Sequence, residues 1–348
     1  MIRKATISLK NANKGKLEKL EIITKEYVRV VNLFIDIFWE QKQFMFKFAP
    51  QSDIDSWLSA RIKQATAKQA LSIIKSQRKR KKKYKPMLTR FAMELDSRFI
   101  EIGQDINSFD FWIKLSSIGD KIILNIPSRK HRQFNKLAKE GWKIKNSLRV
   151  RLNENGYFAD VFFEKEAPVI KTAGMAKAVD IGYKKLLVSS DGEFIGDNSI
   201  YKKIARKKQG SNAFKKALVE RNEIVNVSCK ALNLDNIKAL YAEDLKGVKH
   251  GSRGRIRKTF NTLLQRWVYP KVLGKLSMIC EEKGILFKKV PPQYTSQRCS
   301  KCGTICKSNR NGEVYKCVCG NVMDADFNAA QNILHIGEYG LDALQPSL

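Results

Sequence analysis

Seven cysteines and a few isolated carboxylates are the residues of this sequence that could carry chemistry. Four cysteines near the end of the chain form a C-x2-C-x14-C-x-C pattern: Cys299, Cys302, Cys317 and Cys319. Four thiolates satisfy tetrahedral zinc and leave no open position for water, so we expect a structural zinc ion. Cys306 is a fifth thiol that could replace one of the four, and a disulfide is the alternative. An odd and mostly clustered set of cysteines favours metal binding in a reducing compartment.

Histidine-based catalysis is a poor expectation for this chain. Its three histidines, His131, His250 and His335, are scattered along the sequence. Ser-His-Asp, Cys-His and histidine-metal sites all need a histidine beside a partner group. Any catalysis should therefore rest on carboxylates and the metal ions that they bind.

Three carboxylates occupy positions where a carboxylate needs a partner. Asp180 lies in the apolar stretch AVDIG, Glu243 ends the apolar stretch IKALYAED, and Asp326 begins an Ala-rich helical stretch. A carboxylate in an apolar strand is costly unless it is paired or metal-bound. We expect the three to hold two Mg²⁺ ions roughly 4 Å apart, one activating water and one stabilising the leaving oxygen. The alternative for Asp180 is a turn-capping role before Gly182.

Asp324 lies two residues before Asp326 and needs to be distinguished from it. Residues two apart do not share a helix face, so only one of the pair should enter the site. We favour Asp326 as the metal ligand, since Ala329, Ala330 and Ile333 behind it give a close-packing face. Asp324 is then a helix cap or a supporting residue. Capping by both aspartates is the alternative.

Charge and composition indicate a long polyanionic partner. Lys and Arg number 66 against 34 Asp and Glu, a net charge of +32, in a chain that is 43% hydrophobic. The excess is spread over the whole length, which suits nucleic acid better than one phosphate-sized ligand. We find no apolar run long enough for a membrane helix and no signal-peptide core. A cytoplasmic location in a prokaryotic cytosol or nucleoid is therefore expected, with no membrane partner.

The first half of the chain predicts a β domain interrupted by a helical pair. Ile2–Leu9 alternates as a strand, and helical spacing follows from about Leu17 to Phe46. A second helix is expected from Ile54 to about Lys82, with Asp53 or Asp55 as its cap. Short strand patterns then run from Met87 to Glu166. We expect a β-barrel-like domain over 1–10 and 85–170, and a helical lobe over 11–84.

The second of these helices ends in a dense charge run at residues 78–83, and cations also recur along it. We expect a face that follows phosphates, with Gln64 and Gln69 able to read base edges. The Gly- and Arg-rich segment GVKHGSRGRIRKTFN is expected to be a phosphate-facing loop. The candidate nucleic-acid-binding residues are Arg61, Gln64, Lys68, Arg78, Arg80, Arg253 and Arg255.

The second half predicts an α/β domain with a metal-binding insertion. A β-hairpin, a helical region, a strand, a helix, a strand and a final helix is the order of an RNase H-like fold. The penultimate helix should span about Leu263–Lys283, with Pro270 kinking or breaking it. This nuclease-like domain would comprise 171–292 and 324–348, with a zinc ribbon at 293–323. The whole chain is thus predicted to be a multidomain protein of mixed α and β structure.

Five motifs resemble those of one protein family. AVDIG, AEDLKG, YTSQRCSKCG, YKCVCG and DADFNAAQNI are similar to the RuvC and zinc-ribbon motifs of transposon-encoded TnpB nucleases and of related miniature type V CRISPR effectors. The similarity is specific over Ala176–Gly337, and over Met1–Met175 it rests on the order of elements. The one-residue spacer between Cys317 and Cys319 departs from the commonest form, which puts zinc occupancy in question more than nuclease chemistry.

The resemblance implies an RNA-guided DNA endonuclease. In the family, a wedge β domain and a helical recognition lobe bind a structured guide RNA and read a short motif beside the target, and a RuvC site cuts DNA. Asp180, Glu243 and Asp326 match the catalytic carboxylates of the family. The expected partners are a guide RNA and double-stranded target DNA with a flanking motif, bound by a monomer. A miniature CRISPR effector with the same chemistry and a guided DNA-binding regulator without cleavage are the alternatives.

Overall fold

The computed structural model describes residues 1–41, 54–80, 83–89, 91–106, 108–197, 199–245 and 267–341. The chain divides into two compact units, Met1–Glu166 and Ala167–Leu348. Each unit combines helices and sheets, which confirms the mixed multidomain class. Among the described helices, none is long and apolar enough to cross a membrane.

The strands of the first unit form two antiparallel sheets. The larger sheet has the order β1-β7-β6-β2, with β1 at Ile2–Ser8, β7 at Gly156–Glu164, β6 at Lys143–Asn153 and β2 at Ala92–Asp96. The smaller contains β3 (Ile100–Ile106), β4 (Phe109–Leu115) and β5 (Leu124–Ser128). Alternating apolar residues bury one face of the strands in a common core. The β-barrel-like arrangement predicted from the sequence is wrong. Over the described residues β1 and β2 do not pair, so the larger sheet stays open.

Two local features of this unit differ from the sequence pattern. The segment FAMELDSRFIEI reads as one strand but is divided by a turn, because Asp96 Oδ1 accepts a hydrogen bond of 3.1 Å from Arg98 N. Such an aspartate bond to the backbone two residues on stabilises a turn. The sequence analysis also missed α3 (Arg132–Lys139), a short helix capped by the His131 ring that buries Phe134 and Leu137.

Two longer helices share the core of the first unit. α1 spans Lys14–Trp39 and α2 spans Ala60–Arg78. α2 begins later than predicted, and its cap is Ser59 rather than Asp55; Asp53 and Phe46 lie outside the described residues. Ser59 N donates to Ile118 O at 2.6 Å and Leu58 bridges to Gly119, so tertiary contacts keep the chain extended up to Ser59.

The second unit is built on one five-stranded sheet of order β10-β9-β8-β11-β12. Its strands are β8 (Met175–Asp180), β9 (Leu187–Ser189), β10 (Phe194–Ile195), β11 (Ile237–Glu243) and β12 (Leu286–Val290). β8, β11 and β12 are parallel, whereas β9 and β10 are antiparallel additions at one edge. Near-continuous apolar residues in β8 and β11 suit a sheet that is covered on both faces.

Helices cover both faces of this sheet. α4 (Ser199–Ala205), α5 (Asn212–Ala231) and α6 (Tyr269–Lys283) share one core with Val179 and Leu240. On the other face, α7 (Ala325–Tyr339) packs through Ile333 on Ala178 and Tyr241. Pro270 does not kink a helix; it lies in the first turn of α6, where a missing N–H is tolerated. Residues 263–266 of the predicted helix lie outside the described residues.

A small module separates β12 from α7. It contains β13 (Arg310–Asn311), β14 (Val314–Lys316) and β15 (Val322–Asp324) in one antiparallel sheet. Its buried cluster consists of Cys299, Tyr315, Cys317 and Ala325. A core of this size is too small to stabilise a module alone, so a covalent or metal staple is expected.

Candidate active site

Asp180 and Glu243 end two neighbouring parallel strands. Ala242 pairs with Val179, so the acids that follow these residues lie at the same edge of the sheet. Asp326, in the first turn of α7, is 8% exposed and lines a cavity of about 360 Å³ together with Asp180. The structure therefore brings all three predicted carboxylates to one edge of the sheet.

The electrostatics of this edge disfavour three free negative charges. Burial, followed by repulsion from Glu243 and Asp326, raises the pKa of Asp180 well above its usual value. Burial also raises the pKa of Glu243, although a hydrogen bond from Thr295 and the charge of Arg310 act to lower it. Buried carboxylates that repel each other gain free energy when a cation binds among them.

The carboxylates fit divalent ions through the chemistry of their oxygen atoms. Oxygen donors at an edge with room for retained water suit Mg²⁺. In the part of the chain that the structure describes, only the four cysteines form a group of three or more side chains close enough to hold a single ion. The three carboxylates are therefore spaced more widely than a cage for one ion requires.

Asp324 caps α7. Its Oδ1 accepts hydrogen bonds from Asp326 N at 3.0 Å and from Phe327 N at 3.1 Å, and its other oxygen pairs with Lys185. One oxygen of Asp324 thus caps the helix, and the other is held by Lys185. The capping role predicted for Asp324 is confirmed, and Asp326 is left to face the cavity.

Arg310 and Thr295 contact the carboxylates and were missed by the sequence analysis. Arg310 Nη2 pairs with Asp326 Oδ1 at 2.8 Å, and its charge lowers the pKa of Asp180 and Glu243 against the effect of burial. The Thr295 hydroxyl donates to Glu243 Oε1. Among 66 basic residues one arginine carries no sequence signal, and a single threonine carries none either.

Four cysteine sulfurs lie within 4.8 Å of one another, and they are the four predicted from the sequence: Cys299, Cys302, Cys317 and Cys319. Cys299 Sγ lies 3.7 Å from Cys319 Sγ, and Cys302 Sγ lies 3.6 Å from Cys317 Sγ. A tetrahedron with zinc–sulfur bonds of about 2.3 Å has edges of about 3.8 Å. All of these cysteines are free thiols, and the fifth one, Cys306, is not part of the group and contacts Ser308. The group is therefore suited to a metal ion, with the short Cys317–Cys319 spacer included.

Comparisons with known proteins point to one family. Residues 269–333 match a family model described as the Cas12f1-like TNB domain. The chain is 48% identical over 80 residues to the CRISPR-associated endodeoxyribonuclease Cas12f1 of Sulfoacidibacillus thermotolerans, covering 22% of this chain and 19% of that protein. It is 29% identical over 143 residues to the TnpB-like protein aq_aa05 of Aquifex aeolicus strain VF5, covering 40% and 44% of the two chains.

The fold is similar as well. A Cas12f1 chain in a cryo-EM structure of a Cas12f1–sgRNA–target DNA complex superposes with a TM-score of 0.63 at 16% identity, covering 92% of this chain and 83% of that one. Over the matched segments the chain is similar to the TnpB-like protein and to the miniature type V effector Cas12f1. The aligned sequence spans about a fifth of the Cas12f1 relative, 19%, whereas the likeness in fold extends into the first unit, where the sequence motifs did not reach.

The nucleic-acid-binding residues predicted from the sequence fall into three groups. Arg61 and Lys68 are exposed on α2, where Gln64 is half-buried, and Arg80 is exposed just beyond the end of that helix. Arg78 instead donates to Trp39 O at 2.9 Å and Gln41 O at 2.6 Å, so it closes the C-terminal end of α1. The last two, Arg253 and Arg255, lie outside the described residues.

A cleft of about 330 Å³ lies beside α2 in the first unit. Its charged and polar lining comes from Lys68, Gln69, Ser72, Glu94, Asp96, Arg98, Ser147 and Arg149. Gln69, which could have read a base edge, uses its amide within the fold: its oxygen accepts from Tyr27 at 2.8 Å and its nitrogen donates to Ala92 O at 3.1 Å. Lys68 and Ser72 are the exposed residues of α2 in this cleft.

Proposed function

We propose that this protein is an RNA-guided DNA endonuclease of the TnpB type. The observation that carries the proposal is the meeting of Asp180, Glu243 and Asp326 at one edge of the five-stranded sheet. The order of its strands, with two antiparallel strands beside three parallel ones, supports an RNase H-like, RuvC-type domain over 171–292 and 324–348. The relationship to Cas12f1 and TnpB-like proteins supports the same assignment.

Asp180, Glu243 and Asp326 would hold two Mg²⁺ ions, which supply an activated water and stabilise the leaving oxygen in phosphodiester hydrolysis. The chain's own residues prepare this site. The Thr295 hydroxyl holds one oxygen of Glu243. Arg310 is one-third exposed and pairs with Asp326, and its guanidinium could also bind a phosphate group. The Asp324 cap fixes the turn of α7 from which Asp326 projects.

The cysteine module, residues 293–323, is proposed to be a zinc ribbon. Four clustered thiols and a small surrounding core support this reading. A closed set of four thiolates makes the zinc structural, because no coordination position is left for a substrate or water. Through Arg310, the ribbon would place a positive charge against the carboxylates of the nuclease domain.

The first unit is proposed to bind nucleic acid, as a wedge domain (1–10 and 85–170) with a recognition lobe (11–84). Arg61, Lys68 and Lys75 are exposed and spaced seven residues apart, which puts them in one stripe of α2 at intervals of about 10 Å. The neighbouring cleft adds Arg98 and Arg149, which are paired there with Asp96 and Glu94. A cationic stripe suits contacts with the phosphate backbone of a nucleic acid, and a polar cleft beside it suits contacts with the edges of a few bases.

We infer a division of labour in which base pairing with a guide RNA reads the target and the protein reads a short flanking motif. This explains how a protein of 348 residues could cut DNA at chosen sequences. The protein would act as a monomer in a prokaryotic cytosol. Whether the guide comes from a transposon or a CRISPR array changes neither the site nor its chemistry.

Cleavage by carboxylate variants tests the proposal. The protein should be purified with its bound RNA, that RNA sequenced, and DNA carrying the complementary target and a randomised flank supplied with Mg²⁺. Asp180→Ala and Glu243→Ala should each lower cleavage by at least about 10³-fold and leave RNA and DNA binding within about twofold, because they remove metal ligands only. Asp235→Ala, an exposed carboxylate before β11, is the matched control and should cut normally.

Two results would contradict the proposal. Full cleavage by either active-site variant would show that these carboxylates do not hold the reacting metal ions. Wild-type protein that binds guide and target but never cuts would support the alternative of a guided DNA-binding regulator.

A further inference from the structure

Thr295 lies at the entry to the ribbon and is almost completely buried. Its side chain is 3% exposed, and its hydroxyl lies against Glu243 Oε1 and, at 3.2 Å, Pro292 O. A hydroxyl has one proton to donate, and a carboxylate is the stronger acceptor of the two. The hydroxyl proton is therefore directed at Glu243, and the bond fixes the orientation of that carboxylate.

The backbone on either side of Thr295 is held in place. Tyr294 has φ +63°, a left-handed conformation that is costly for a residue with a bulky side chain. The carbonyl of Tyr294 accepts bonds of 2.9 Å from both Gln297 N and Arg298 N, which stabilise this conformation. The Thr295 carbonyl accepts a 2.9 Å bond from Asn332 Nδ2.

Asn332 belongs to α7, as does Asn328 one turn before it, and both side chains are fully buried. Both amides donate to Arg298 O, at 2.7 and 2.8 Å, and Asn328 Oδ1 accepts from Ser300 N at 2.9 Å. Buried amides are costly in a helix unless their bonds are made. The bonds made here join the helix of Asp326 to the segment that holds Glu243.

We propose that Thr295 is a positioning residue for the metal-binding carboxylates, with its hydroxyl fixing Glu243 and Asn332 fixing Thr295 relative to the helix of Asp326. The inference rests on the proposed function, because it takes Glu243 and Asp326 to be metal ligands. Residues that hold metal ligands typically change metal affinity by about 10–100-fold when they are replaced. The hydrogen bond from its hydroxyl makes Thr295 the residue that holds Glu243 in this way.

Binding of Mn²⁺ to the full-length protein, measured by the EPR signal of free Mn²⁺, tests this role without depending on cleavage. Thr295→Val keeps the shape of the side chain and removes the hydroxyl, and should weaken Mn²⁺ binding about tenfold or more. Thr295→Ser keeps the hydroxyl and should stay within about threefold of wild type. The matched control is Thr24→Val, at a buried threonine of α1 in the first unit whose hydroxyl donates to helix carbonyls, and it should bind Mn²⁺ normally.

Thermal melting of each variant separates loss of position from loss of fold, and Thr295→Ala replaces Thr295→Val if the latter fails to fold. Wild-type Mn²⁺ affinity in a folded Thr295 variant that lacks the hydroxyl overturns the inference while leaving the nuclease assignment intact. Wild-type protein that neither binds Mn²⁺ nor cuts DNA contradicts the proposed function itself. Weakened Mn²⁺ binding in the Ser variant as well as the Val variant would also overturn the inference about Thr295, since the hydroxyl would then not determine the affinity.

Discussion

Gly337 of α7 packs closely against Tyr241 of strand β11. A Cβ built on Gly337 would lie 2.5 and 2.6 Å from the two Cδ atoms of the Tyr241 ring. Tyr241 is 7% exposed, and its strand β11 is paired on both sides. The tyrosine ring therefore has little freedom to move away. Gly337→Ala should therefore push the helix off the sheet.

The size of the effect follows from a comparison with Gly274 in α6, where an added Cβ would meet nothing within 4 Å. Glycine to alanine in a helix stabilises by about 0.5–1 kcal/mol at either position, through helix propensity and unfolded-chain entropy. At Gly337 overpacking costs about 1–3 kcal/mol, which cancels or exceeds that gain. The difference in unfolding free energy between the two variants isolates the packing cost.

Urea denaturation of both variants measures this difference directly. Gly274→Ala should be more stable than wild type, and Gly337→Ala less stable than Gly274→Ala by about 1–3 kcal/mol. Equal stability of the two variants would refute the packing argument. Because α7 carries Asp326 and β11 ends in Glu243, Gly337→Ala should also weaken Mn²⁺ binding, whereas Gly274→Ala should not.

Two further predictions concern the charges and the cysteines. Without divalent ions, Asp180→Asn should stabilise the protein at pH 8, because burial, Glu243 and Asp326 raise the pKa of this carboxyl and its ionised form is costly in the fold. The gain should shrink as the pH falls and disappear below about pH 3, where the carboxyl is protonated in both the folded and the unfolded state. Thermal melts across pH measure it, and a gain independent of pH would contradict the reasoning. Cys302→Ser should lose zinc, measured by atomic absorption, and expose the ribbon to proteolysis, whereas Cys306→Ser should retain one zinc per chain; equal zinc content in the two would contradict the assigned ligand group.

The carboxylates and cysteines could be predicted because their signals are local. Asp180 and Glu243 each end an apolar run, and such a run predicts a buried strand whose end meets others at one sheet edge. The cysteine spacing identifies four thiols even though one spacer is short, because a turn of one residue still brings both sulfurs to the same point. The cap at Asp324 follows from its position before a helix.

Features that depend on tertiary contacts could not be predicted. Ser59 caps α2 in place of Asp55 because Ile118 bonds to Ser59 N and Gly119 pairs with Leu58, which keeps the chain extended up to the cap. The open sheet of the first unit follows from which strands become edges, and alternation alone does not specify that. Arg78 belongs to the densest charge run, but its guanidinium donates hydrogen bonds to carbonyl groups at the end of α1.

The ribbon contributes more to the acidic edge than its sequence suggests. Its entry provides the hydroxyl that bonds Glu243, its first strand provides the arginine that pairs with Asp326, and α7 follows its last strand directly. Two of its four thiols belong to its own buried cluster, so losing a metal ion there would loosen the segments that hold both carboxylates. If the proposed function is correct, zinc and magnesium affinity should be coupled in this protein, although the two metals share no ligand.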